Sequence, residues 1–91
     1  MYRNRMADRD HLTVLILGVQ FWNGWRKSNA SIAPDLSGAD LGGLDLRGAD
    51  LRGVDLTETR LDGAFLVGAF YCAATQWPAR MDLVRSGALP S

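Results

Sequence analysis

The chain has 91 residues, of which 22% are charged and 47% hydrophobic, and its formal net charge is zero. That is the size of one small domain, and neither sign of charge is in enough excess to argue for nucleic-acid or membrane binding. Its single cysteine, Cys72, excludes an internal disulfide and a cysteine-rich zinc site, which fits a reducing, cytoplasmic compartment. The charge is unevenly spread: residues 1–33 carry net +3, residues 34–72 net −4 and the remainder net +1.

The first element predicted is a helix from an N-cap at Asp8 or Asp10 to about Lys27 or Ser28, with Arg26 and Lys27 in the last turn where cations suit the dipole. The apolar run Leu12–Val19 follows three arginines, as in a signal peptide. Asp8 and Asp10 fall in the would-be basic region, however, and the run is too short to span a bilayer, so a core helix is the better reading. At 100° per residue, Leu12, Leu15, Ile16, Val19 and Trp22 share one face with Asn23 and Arg26. Val14, Leu17, Phe21 and Trp25 make a second apolar ridge, more than one docking face needs. Residues 29–34 read as a linker.

From Leu36 to Leu66 every fifth residue is leucine, and Tyr71 takes the next slot. A period of five fits neither a helix nor a strand. It marks a solenoid in which each pentad is one side of a coil and neighbouring coils supply each other's core. Leucine points inward, and so does the residue two before it. Ala39, Ala49, Ala64 and Ala69 are small enough for that place, whereas Leu44, Val54 and Thr59 are larger. Glycines two after the leucines (Gly38, Gly43, Gly48, Gly53, Gly63, Gly68) suit corners; Glu58 interrupts the series, and a different corner is expected there.

This stretch, about Pro34 to Tyr71, with Ala39-Asp40-Leu41 and Ala49-Asp50-Leu51-Arg52-Gly53 as its clearest units, resembles the pentapeptide-repeat family. The resemblance implies an all-β solenoid with an α-helical cap: a right-handed quadrilateral β-helix of about two coils, four pentads per coil. Residues twenty apart should then stack: Asp35 under Asp55, Asp40 under Arg60, Asp45 under Phe65 and Asp50 under Phe70. The segment Leu15–Arg26 is also similar to the helix that precedes the repeats in some bacterial members, and Thr75-Gln76-Trp77-Pro78 to a closing segment. Residues 1–33 are thus the capping helix and linker, 34–72 the repeats and 73–91 the closing segment. A short tail helix is expected, with Pro78 in its first turn and Gly87 at its end.

A first coil exposes unpaired backbone groups, so Trp22, Asn23 and Arg26 are assigned to a structural cap, with Trp77 closing the other end. Phe65 and Phe70 fill outward slots that are usually polar, and the tail is expected to fold over them. No catalytic, cofactor-binding or metal-binding residue emerges: the chain has no metal-ligand spacing, phosphate loop or nucleophile elbow, and His11 is far from Cys72 in sequence. The recurring Asp45, Asp50 and Asp55 read as polar residues bonding at corners. The function expected is therefore a small non-enzymatic protein-interaction or assembly module. Val14, Leu17, Phe21, Trp25, Phe65 and Phe70 are the candidates to meet a protein partner or a second copy. The alternatives are a nucleic-acid-mimicking regulator, as in family members that inhibit DNA gyrase, and an inhibitor in phage–host or toxin–immunity conflict. Arg47, Arg52 and Arg60 interrupt the acidic side that mimicry needs.

Overall fold

A computed structural model of the chain describes residues 7–91. The helical region is two helices, not one: α1 spans Arg9–Ile16 and α2 spans Val19–Ser28. Asp8 is the N-cap of α1, its carboxylate accepting from the N–H groups of Asp10 and His11. The break falls at Gly18, whose φ of 120° and ψ of 162° no side-chain-bearing residue adopts at low cost. Helical periodicity continues across this glycine in the sequence, so the predicted single helix misses the break. Its consequence is a change of facing. Leu15 and Trp22 are buried, with Leu12, Val14, Val19 and Trp25 packed around them, but Ile16, predicted on the docking face, is exposed.

The repeats form two tiers, 34–53 and 54–72. Parallel bridges join Asp35 to Asp55, Asp40 to Arg60, Asp45 to Phe65 and Asp50 to Phe70, the twenty-residue register expected. The N–H groups of Leu36, Leu41, Leu46 and Leu51 donate to the carbonyls of Asp55, Arg60, Phe65 and Phe70 at 2.8–2.9 Å. Leu36, Leu41, Leu46, Leu51, Leu56 and Leu66 are buried, and Ala39, Ala49, Val54 and Ala69 fill the space between them. Leu44, Leu61 and Ala64, all in the second and third pentads, are only half-buried. The corner glycines have φ of 72–76°. Glu58 adopts the same left-handed conformation, with φ of 58°, so the corner there does not differ; the surroundings impose on a glutamate what glycine would adopt freely.

Each aspartate of the lower tier secures its own turn: Asp35, Asp40, Asp45 and Asp50 accept from the backbone N–H two residues on, as does Asp55 above. Arg47 and Arg52 add side-chain bonds to Asp45 and Asp50. Arg52 therefore does more than decorate an outer face.

Beyond Tyr71 the register slips by one residue, so that Asp55 bridges Gln76. Thr75 accommodates the slip. Its hydroxyl accepts from the N–H groups of Gly53 and Cys72 and donates to the Leu51 carbonyl. The short strand β1 (Phe70–Tyr71) pairs in parallel with β2 (Leu89–Pro90). Between them lies α3, Leu83–Ser86, N-capped by Asp82 and ended by left-handed Gly87. Gly87 closes this helix as expected, but Pro78 lies outside it, because the Asp82 carboxylate accepting the Arg85 N–H sets a later start. Nor does the tail cover Phe65 and Phe70. It extends the stack at its edge, and the two rings remain 56% and 42% exposed.

Truncating inward Leu51 to alanine is expected to cost about 2–5 kcal/mol of stability, the range for a fully buried leucine. Val84→Ala, at a site 92% exposed, should change stability by less than about 0.5 kcal/mol. Urea denaturation of both variants measures the contrast.

Candidate functional site

The helices satisfy the lower edge of the first tier where they lie beneath it. Under the first pentad, Asp8 N–H donates to the Asp35 carbonyl (2.9 Å) and Asp35 N–H donates to His11 Nδ1 (3.0 Å). Under the fourth, Asp50 N–H donates to Asn23 Oδ1 (2.8 Å) while the Asp50 carbonyl accepts from Trp22 Nε1 (2.8 Å). Asn23 Nδ2 also donates to the Gly48 carbonyl (3.0 Å), and Arg26 Nη2 to the Arg52 carbonyl (2.6 Å). These side chains supply the donors and acceptors that a further tier would supply. Trp22 is fully buried and stacks on Trp25, which also contacts the His11 ring. His11, considered in the sequence only as a base for Cys72, is instead part of this cap. Nothing in its local pattern showed this, since Asp35 reaches it only through the fold.

Beside the cap, Asn23, Lys27, Asp50, Arg52 and Phe70 line an open groove of about 360 Å³. Asp50 is chelated by Arg52 through two bonds of 2.9 Å, which holds its carboxyl below the usual range despite partial burial. Burial lowers the Arg26 guanidinium pKa, with the nearby Asp50 charge acting against that shift. On the adjacent side of the same tier, exposed Asp45 is held at a pKa of about 2 by its bonds from Arg47, and the Arg47 guanidinium lies 5.7 Å from the centre of the Phe65 ring. The Cys72 thiol is lowered, first by the backbone N–H of Ala74. Among the described residues, no group of three or more His, Cys, Asp or Glu side chains could hold a metal ion, and no helix is long and apolar enough to cross a membrane.

The predicted ridge divides. Val14 and Trp25 pack partly on the core, whereas Leu17 and Phe21 are 60% and 64% exposed, next to exposed Ile16. Leu17 is the C-cap of α1 and Phe21 lies in the first turn of α2, so the break at Gly18 leaves both outside the core. At the other end, Trp77 packs half-buried on the core with Met81, its ring edge-on to Tyr71. The buried Nε1 of Trp77 has no acceptor among the described residues. The competing reading, in which residues 1–8 or 29–34 fold over the ridge within one chain, lies for the first of these segments largely outside the described residues.

The family described as Pentapeptide repeats matches residues 35–70, in 8 copies. The crystal structure of a pentapeptide repeat protein from Nostoc Pcc 7120 is similar, with a TM-score of 0.58 and 33% sequence identity over 63% of this chain and 55% of that one. The chain thus spans about half the length of that relative. No curated protein matches it. Residues 35–70 are therefore a run of pentapeptide repeats, a repeat that implies a right-handed β-helix.

Replacing Trp22 by phenylalanine would leave the Asp50 carbonyl without its donor and is expected to cost about 1–3 kcal/mol, read as a lowered denaturation midpoint. Because the Asp50 carboxyl is held low in the folded chain, its stabilisation is fully present above the ordinary carboxylate range, near pH 4. It is lost as the pH falls through the folded value. Asp50→Asn should accordingly flatten the acid side of the stability–pH curve and lower stability at pH 7, as followed by thermal melts from pH 7 to pH 2.

Proposed function

We propose that this chain is a small non-enzymatic protein–protein interaction or assembly module, built on a right-handed, four-sided β-helix of about two coils between a helical cap and a closing tail. The observation that carries this reading is the exposed apolar group of Ile16, Leu17 and Phe21 on an otherwise ordered cap. Such clustered exposure characterises interfaces more than free surfaces. The simplest partner is a second copy in a two-fold dimer. Neither a nucleic acid nor a membrane is the ligand in this reading, and the cytoplasm is its compartment. Mimicry of a nucleic acid is less well supported. Asp45 and Asp50 are each bonded to an arginine of their own pentad, so they do not present free charges in a phosphate-like row.

Sedimentation equilibrium of the wild type should show concentration-dependent association, and a Leu17→Glu/Phe21→Lys variant should remain folded and monomeric. A wild type that stays monomeric at high concentration, together with a variant that unfolds, would assign these residues to the core and end the interface reading.

A further inference from the structure

The backbone pairing leaves the upper edge unfinished on two sides of the coil, as it does the lower. In the second pentad of the lower tier, Leu41 N–H donates to Arg60 C=O, Arg60 N–H donates to Ala39 C=O, and Gly43 N–H donates to Asp62 C=O. The equivalent upward-facing groups of the upper tier are taken in the first pentad by Gln76, which accepts from Leu56 N–H and donates to Val54 C=O. The tail takes them in the fourth pentad, where Leu89 N–H donates to Ala69 C=O, and at the end of the third, where Gly68 N–H donates to Gly87 C=O. In the second pentad and over Ala64 to Leu66 of the third they are open. Among the described residues, the N–H groups of Leu61, Gly63 and Leu66 and the carbonyls of Thr59 and Ala64 have no partner.

The cause is the length of the tail. Asp55 to Phe70, along the wall, is a step of 15 residues; Gln76 to Leu89, their respective partners, is a step of 13, and it includes the compact turn Leu83–Ser86. The tail therefore cuts across the top, laying Trp77 and Met81 on the core, instead of following the wall. The lower edge of the same two pentads carries the carboxylates of Asp40 and Asp45, side chains that discourage strand addition. The upper edge carries exposed Phe65 and Val67 and a half-buried Leu61. Arg60 stands there without a carboxylate partner among the described residues.

We propose that this upper edge, from Thr59 to Leu66, is a site for main-chain addition, bounded by Gly87 of the tail above Val67. It would accept a segment of roughly eight residues from another protein, running parallel to the edge and turning with it at the Gly63 corner, with a carboxylate opposite Arg60 and an apolar or small residue opposite Phe65. The complementarity follows the columns already built: Asp40 lies beneath Arg60, and the next place in that column takes an acid again. The main-chain bonds fix the segment's direction, and Arg60 selects its charge. The inference rests on the reading of the chain as an interaction module, but it uses a different face from Ile16, Leu17 and Phe21.

The test uses the full chain and a synthetic peptide with the sequence of residues 39–48 carrying Asp45→Ala, which places an aspartate opposite Arg60, an alanine opposite Phe65 and glycines at the corner. Amide exchange by NMR should slow about tenfold at Leu61, Gly63 and Leu66 when the peptide is added. A peptide with Asp40→Lys should bind up to about fivefold more weakly, the worth of an exposed ion pair, and Arg60→Glu in the protein should reverse that preference. Unchanged protection at the three amides at the highest soluble peptide concentration would overturn the proposal. So would affinity indifferent to both charge reversals. Protection that appears on concentrating the protein alone would instead make a second copy the occupant, and also overturns it. Repeating the titration on the Leu17→Glu/Phe21→Lys variant keeps the two surfaces separate: peptide binding should persist there whether or not the wild type self-associates.

Discussion

Backbone hydrogen bonding between tiers is the constraint from which the rest of this protein follows. A pentad places its leucine inward only if the chain returns every twenty residues, and each return leaves a row of N–H and C=O groups facing up or down. With two tiers, a large share of these groups lies at an end. An end buried without partners costs about 1–3 kcal/mol for each orphaned group, so the flanking segments must be chemically specific, not merely apolar. Trp22, Asn23 and His11 meet this need below, and Gln76, Gly87 and Leu89 above.

The polar outer shell obeys the same economy. An aspartate beside each lower-tier leucine bonds forward to its own backbone, so the turn is held without help from the next pentad. Where the upper tier substitutes Arg60, Phe65 and Phe70 at those places, that bond is absent and the outer surface changes character. The acidic side visible in composition is thereby consumed in turns and in Arg47 and Arg52 chelates. The apolar character migrates to the upper rim and to the corner of the cap near Gly18.

Coverage at the ends is asymmetric. The cap and the tail both serve the first and fourth pentads, and Leu44, Leu61 and Ala64, between the uncovered ones, are correspondingly half-buried. A tail two residues longer and without the turn at Leu83–Ser86 would have the reach to follow the wall. The short route across the top instead places Trp77 and Met81 over the core while leaving a wall edge open to solvent. Packing and edge satisfaction thus compete at this end, and packing prevails.

The five-residue leucine period determined the inward set, a local consequence of repeating one backbone unit, and the glycines two after the leucines marked the left-handed corners. The twenty-residue stacking followed from the likeness to four-sided pentapeptide repeats, since a period of five does not fix how many sides make a coil, and the assignment of Trp22, Asn23 and Arg26 to a cap followed from the need to close so short a stack. The break at Gly18 was not legible: a helix that stops and restarts keeps the same apolar spacing in sequence, and only the docking of Leu15 and Trp22 on one core shows that the chain must turn between them. Two of the three bonds of Thr75 reach Gly53 and Leu51, 22 and 24 residues back, and no local pattern announced them or the glycine conformation of Glu58. The route of the tail, and with it the exposure of Phe65, was likewise a tertiary outcome. It turns on whether thirteen residues can span a wall that normally takes fifteen, and no local propensity records that distance.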